Sequence, residues 1–311
     1  MGSFRSSWQQ VSALLDDGVS LYRRYVGGFA VLAGMFSLPA LLVTFNAIFH
    51  IERFEDASFT DLVLIVFGLF LSSHFIIPPL TRATRLEIDG ETFTVGRVVW
   101  RWPKIGRSLI ALVYGGVLAI FWGIVISFIS SILFSCVGVF FIVGFLLSSA
   151  VTEAFLIFFP IVIVLLLVAY GGYLMFNSTA IVAALYGVQP LLDDTIPLRK
   201  ALQLSWSLLF HRFSYNTLVF CCAAAVFGMV AMIVTLTIGL LLPAPFGIQL
   251  GVEHPLFRGL SAVAWVIGLN TALPLLPIWS TLHYRQMLAE RTGVRFAVRL
   301  QQLRQAVTSS S

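Results

Sequence analysis

Residues 107–133 read RSLIALVYGGVLAIFWGIVISFISSIL, and the stretch carries no charge after Arg107. A helix rises about 1.5 Å per residue, so about 20 apolar residues cross about 30 Å of hydrocarbon. This run is long enough. The rest of the chain agrees with it: of 311 residues, 59% are hydrophobic and only 11% charged, against about 25% charged in soluble domains. Surplus apolar surface on that scale has to face lipid, which excludes a soluble domain with one buried core. The expected fold class is all-α, a polytopic transmembrane bundle.

Working outward, apolar runs and their polar or Gly/Pro punctuation predict six spans, near 28–49, 61–81, 107–133, 155–187, 214–242 and 259–286. The polar lead with Asp16, Asp17, Arg23 and Arg24 argues against a cleaved signal peptide. Phe134 to Ser149 is apolar but short, and reads as a re-entrant or interfacial turn rather than a seventh crossing. The run from Phe155 to Gly187 exceeds one bilayer and holds Pro160, so tilt, a kink or projection beyond the membrane is expected.

Basic residues retained on the inner side set orientation. With six spans, 17 of the 19 Lys and Arg fall on one side, and Arg53 and Arg258 on the other. Both ends are therefore expected in the cytoplasm. The implied organisation is an amphipathic lead (1–27), a membrane bundle (28–288) and a basic amphipathic tail (289–311).

Three polar-side segments have helical periodicity. Val11, Leu14, Leu15, Leu21, Tyr22 and Tyr25 precede Gly27-Gly28 and predict an interfacial helix. After Pro197, Leu198, Ala201, Leu202, Ser205 and Leu209 share a face and form an elbow that also carries Arg199, Lys200 and Trp206. In the tail, Arg291, Arg295 and Arg299 lie on one stripe, with Val298, Leu300, Leu303 and Val307 as its apolar side. These cations read either as snorkelling flanks or as contacts to anionic lipid. Trp100, Trp102 and Trp206 beside them suit headgroup-level anchoring.

In the third span Ala111, Gly115, Ala119, Gly123, Ser127, Ser131 and Ser135 put a small residue at every fourth position. Small residues let helices approach closely in lipid, so this span is expected to be the central packing helix. Each step of four advances about 40° beyond a full turn, so the ridge winds around the helix. A substrate path past Ser127, Ser130 and Ser131 is the rival reading.

Enzyme signatures such as GxSxG, HExxH and GxGD are absent, so no catalytic residue is assigned. Cys136, Cys221 and Cys222 lie in apolar runs without metal-ligand spacing. No metal or cofactor is expected, and no nucleic-acid partner, since the net charge of +5 follows the membrane flanks. His74, inside the second span, is the polar residue singled out for function. Asn177, Asn216 and Asn270 need partners in hydrocarbon, for which interhelical hydrogen bonding is the ordinary explanation. Pro39, Pro274 and Pro277 interrupt spans and free carbonyls that could coordinate an ion. Asp193-Asp194 reads as a turn and cap rather than a magnesium site.

The lead ending LYRRYVGGF, the basic loop TRLEIDGETFTVGRVVWRWPKIGRSL, the elbow PLRKALQLSWSLLFHRF and the exit LHYRQMLAERTG occur in an order. That order resembles the membrane domain of some glycerophosphodiester phosphodiesterases and related bacterial six-span proteins. Ala201, Ser205, Trp206 and Arg212 match the elbow of those relatives. The separate catalytic domain, with its His-Arg motif and metal-binding acids, has no counterpart here. The resemblance implies a bacterial inner-membrane module without the hydrolase. The expected function is non-catalytic, in membrane or envelope homeostasis through lipids, a second copy of the chain or a membrane-protein partner. A permease or transporter subunit is the alternative, and an intramembrane enzyme the third reading.

Overall fold

The computed structural model describes residues 2–35, 77–91, 93–100, 105–148, 152–251 and 254–293, with backbone alone across 132–148 and 152–163. In chain order the helices are α1 (Gly2–Arg24), α2 (Val26–Met35), α3 (77–88), α4 (Val95–Trp100), α5 (Ile105–Ser148), α6 (Thr152–Val188), α7 (Leu198–Phe210), α8 (Phe213–Leu241), α9 (Ala244–Leu250), α10 (Pro255–Ala272) and α11 (Leu275–Arg291). No strand occurs among the described residues. The all-α bundle expected from the composition is the observed fold.

Four segments are long and apolar enough to cross a membrane: Leu109–Ile126 in α5, Tyr170–Val188 in α6, Phe213–Leu250 across α8 and α9, and Pro255–Arg291 across α10 and α11. They coincide with the last four expected spans. The first two expected spans, and His74 with them, fall largely outside the described residues.

One expectation is corrected. No turn separates residues 134–149 from the preceding span, because α5 continues as one helix to Ser148. Gly138 and Gly144 are the weak points of that stretch, and an isolated helical glycine costs only about 1 kcal/mol. In hydrocarbon the alternative is unpaired backbone, which costs more. At 44 residues, α5 is about 66 Å long, about twice the hydrocarbon thickness. It pairs antiparallel with α6, which at 37 residues is also longer than one bilayer.

The last expected span is broken where its prolines predict. α10 stops at Ala272 and α11 starts at Leu275. The carbonyl of Thr271 at this break is taken by the Tyr22 hydroxyl at 2.5 Å, so it is satisfied by protein.

Among the described residues, α6 and α8 carry the interior and α5 packs along one side of α6. α8 lies between α6 and α10 and buries Ala223, Ala224, Gly228, Ala231, Thr235 and Gly239. A Cβ on Gly228 would stand 3.1 Å from the Met175 nitrogen, and one on Gly268 of α10 2.9 Å from the Thr235 Cα. By contrast, Leu109, Val113, Val117, Ile120, Phe121, Ile124 and Phe128 of α5 are exposed.

α1 is helical as expected, but its apolar face is covered by protein. Val11 and Leu14 are buried in the main core with Trp279. Trp279, fully buried, donates its indole N–H to the Leu15 carbonyl at 3.1 Å. Gly18 gives the indole room, since a Cβ there would meet the ring at 2.3 Å. α2, α3 and α4 form a second core around Phe29, Leu80 and Val98, closed by Ile278.

Candidate functional site

The candidate site lies at the charged end of the bundle, where the chain leaves α6. The turn Gln189-Pro190-Leu191-Leu192 would present bare carbonyls at a helix C-terminus, where partial negative charge accumulates. Two arginines from different helices cover it. Arg85 of α3 donates to the carbonyls of Gln189 at 2.6 Å and Leu192 at 3.1 Å. Arg107 of α5 donates to those of Leu191 at 2.6 Å and Pro190 at 3.4 Å. Three helices are thereby fixed to one turn.

Asp193 and Asp194 stand 3.9 Å from Arg85 and Arg107 respectively. Asp193 also closes an Asx turn, accepting from the Thr195 hydroxyl at 2.6 Å and amide at 3.1 Å. Asp193 thus forms the expected turn, but neither carboxylate caps α7, whose N-cap is Pro197 with no side-chain cap bond. Burial pushes the Asp193 carboxyl up, but the Thr195 bonds and the Arg85 charge outweigh it and hold its pKa below the ordinary value. Burial opposes the Arg85 charge more than Asp193 supports it, so the Arg85 pKa lies below the usual arginine range; the guanidinium is still protonated at neutral pH.

From this turn towards the membrane there is a buried polar layer and then an apolar crevice. The Gln189 amide nitrogen is 3.5 Å from the Thr81 hydroxyl, and its oxygen 3.4 Å from that of Thr281. Both contacts are long for hydrogen bonds. Thr281 has one hydroxyl proton and gives it to the Pro277 carbonyl at 2.7 Å, so the donor to the Gln189 side-chain oxygen is Arg85 Nη2 at 3.3 Å. One helical turn further, Ile77, Val188 and Pro277 line a partly open crevice of about 240 Å³. Its α5 wall is Ala111, Gly115, Gly116 and Ala119, and its α6 wall Ile181, Ala184 and Leu185.

A second polar junction ties the elbow to the bundle. The Ser205 hydroxyl donates to the Gly187 carbonyl at 2.5 Å, so at 2.9 Å the Tyr114 hydroxyl must donate to Ser205. Gly187 also makes room for Leu118 of α5, whose Cδ1 would stand 2.5 Å from a Cβ there. The Asn216 amide nitrogen lies 2.8, 3.0 and 2.9 Å from the carbonyls of Leu208, Leu209 and His211, capping the C-terminus of α7. Its Oδ1 is thus an acceptor, and His283 Nε2, 2.9 Å away, must carry the hydrogen; this tautomer is assigned from the network. Arg212, the non-glycine residue with positive φ among those described, makes the bend between α7 and α8 and pairs with Glu290 at 2.9 Å.

The structure separates the residues singled out in the sequence. Of the small-residue ridge, Ala111, Gly115 and Ala119 meet α6 or line the crevice. Gly123 has no neighbour for a Cβ within 4 Å, and Ser131 is exposed. The side chains of Ser127 and Ser135 lie outside the description. A four-residue step turns away from one neighbour after about three positions, which is why α6 meets only the first part of the ridge among the described residues. Asn177 is exposed and donates to Tyr173 of its own helix, and Asn270 is half-buried. Arg199, Lys200 and Trp206 are exposed, while Ser205 is buried. Arg291 bonds the Ser207 hydroxyl of α7; Arg295 and Arg299 fall outside the described residues. The sequence reading missed Arg85, Arg107, Gln189 and His283 as joints. Their signal is weak, since each looks like ordinary punctuation at a span end.

Among the described residues no cluster of His, Cys, Asp or Glu is arranged to hold a metal ion. Comparison with protein-family models, characterised proteins and solved structures finds no match.

Proposed function

We propose that this chain is a non-catalytic integral membrane protein that seats lipid acyl chain in its side crevice and serves membrane or envelope homeostasis. The observation carrying this reading is the crevice itself, of about 240 Å³, walled by small and branched apolar residues between α5, α6 and the α10–α11 break. At bilayer depth its natural occupant is hydrocarbon. The exposed apolar face of α5 continues the same surface. At the charged end Trp206, Phe210 and Phe213 form an exposed ladder with ring spacings of 5.5 and 6.2 Å, beside the exposed Arg199, Lys200 and Arg212. Aromatics and cations so mixed suit an anionic headgroup layer.

The same reading places the chain in a bacterial inner membrane, with six spans and both ends cytoplasmic. It rests on the distribution of Lys and Arg and on the resemblance to the phosphodiesterase membrane domain. A permease subunit is the second reading, favoured by the elbow: α7 is bonded through Ser205 and Asn216 to α6 and α11, so a force on α7 would reach the bundle.

The test is mass spectrometry of the protein purified in native-lipid particles, comparing wild type with Ala119→Phe, which fills the crevice. Retained lipid is expected to fall in the variant while helicity and elution volume stay unchanged. Equal retention sinks the crevice reading, and a persistent ATPase partner moves the assignment to the permease.

A further inference from the structure

We infer that Arg85, Tyr284 and Arg285 form a binding site for a phosphate-type oxyanion, distinct from the apolar crevice. Three donors are left over here. The Arg85 Nε, the Arg285 Nε and the Tyr284 hydroxyl are each buried, with no hydrogen-bond partner among the described residues. A buried donor without an acceptor is destabilising, and native structures rarely leave several together.

The three belong to one cluster. The Arg85 guanidinium lies 5.7 Å from the Tyr284 ring centroid, and Arg285 follows Tyr284 in the chain. Arg85, Tyr284, Arg285 and Asp193 lie within electrostatic reach of one another, and Asp89 within reach of Arg85. The acids do not use the free donors. Asp89 accepts from the Arg285 Nη2 at 2.9 and 3.0 Å, and Asp193 is 3.9 Å from the Arg85 Nη1. The two arginine charges are matched by Asp193 and Asp89, so what is left over here is hydrogen-bond donation rather than net charge.

What remains is two guanidinium N–H groups and one phenol, donors without a free acceptor, in a mostly dry setting. That set recognises an anion with several oxygens and rejects a cation. The site also has an approach from water. The Tyr284 side chain is buried, but Arg285 and Asp89 on its outer edge are 36% and 49% exposed. The anion has two sources, a lipid headgroup phosphate or a soluble phosphate compound.

The experiment uses the full chain in uncharged detergent. Its thermal midpoint is followed against inorganic phosphate, against chloride at matched ionic strength, and against phosphatidylglycerol and phosphatidylcholine. Tyr284→Phe and Arg285→Gln are run beside it. Phosphate or phosphatidylglycerol is expected to raise the wild-type midpoint where chloride and phosphatidylcholine do not. Tyr284→Phe is expected to keep its resting midpoint, because its hydroxyl bonds nothing in the empty site, and to bind the anion about tenfold more weakly. A response to phosphatidylglycerol alone assigns the headgroup as the source, and a response to both assigns a soluble anion. No shift with either anion, or equal shifts in wild type and both variants, overturns the proposal and leaves water as the occupant. Ala119→Phe, which fills the crevice, should leave the phosphate response intact, so failure of the acyl-chain reading is told apart from failure of this one.

Discussion

Asn216 holds three carbonyls with its amide nitrogen and one histidine with its oxygen, and no other side chain of its size offers both. Aspartate has the same shape and can still accept from His283, but it has no hydrogens for the end of α7. Alanine loses both sets of bonds. Asn216→Asp is therefore expected to be about as damaging as Asn216→Ala, each by at least about 2 kcal/mol, since buried groups are left unpaired. Denaturant midpoints of the detergent-solubilised protein measure this. A mild Asn216→Asp would mean that the His283 contact dominates and that α7 needs no cap. In the sequence, Asn216 is visible only as a polar residue near a span. Its pairing with His283, 67 positions away, is a product of tertiary packing that no local pattern encodes.

Helix contacts in this molecule depend on how small residues are spaced more than on how many there are. In α8, Ala224, Gly228, Ala231, Thr235 and Gly239 follow in steps of four, three, four and four, and the one shorter step brings the average nearer the 3.6-residue turn than a uniform four and limits the drift. In α5 the uniform step of four drifts, and among its described members the ridge is in contact from Ala111 to Ala119. The sequence thus made the packing device legible and the helix that uses it hard to see, because a longer run is more conspicuous than a better-phased one. Gly268→Leu is expected to unfold or strongly destabilise the bundle, because the α8 backbone stands 2.9 Å from the position of its Cβ. Gly123→Leu should not destabilise, having open space around it, and removal of a helical glycine should raise stability by up to about 1 kcal/mol. Comparable losses at both positions would mean that α5 packs against a partner through its outer face.

At the scale of the whole molecule, the composition announces a membrane bundle and the helix ends supply its rigidity. Arg85 and Arg107, counted in the sequence as orientation signals, clamp the α6–α7 turn, so charges proposed to orient the chain also have a part in its fold. That double use makes the proposed topology testable without disturbing the core. With Cys136, Cys221 and Cys222 replaced by serine or alanine, single cysteines at Arg199, Arg258 and Ser309 report the two faces. In intact cells a membrane-impermeant maleimide is expected to label position 258 and to spare 199 and 309 until the membrane is opened. Arg199 and Arg258 are both exposed, so protection at one and labelling at the other reflects sidedness rather than burial. Since α8 and α9 lie between them as one membrane-crossing segment, these two positions must report opposite faces if that segment spans. Labelling of both in intact cells would place α8 on the membrane surface and remove the basis for counting charges across it. Labelling at 199 alone would invert the molecule, put the arginine clamp outside the cell and exclude the cytoplasmic assignment of the elbow.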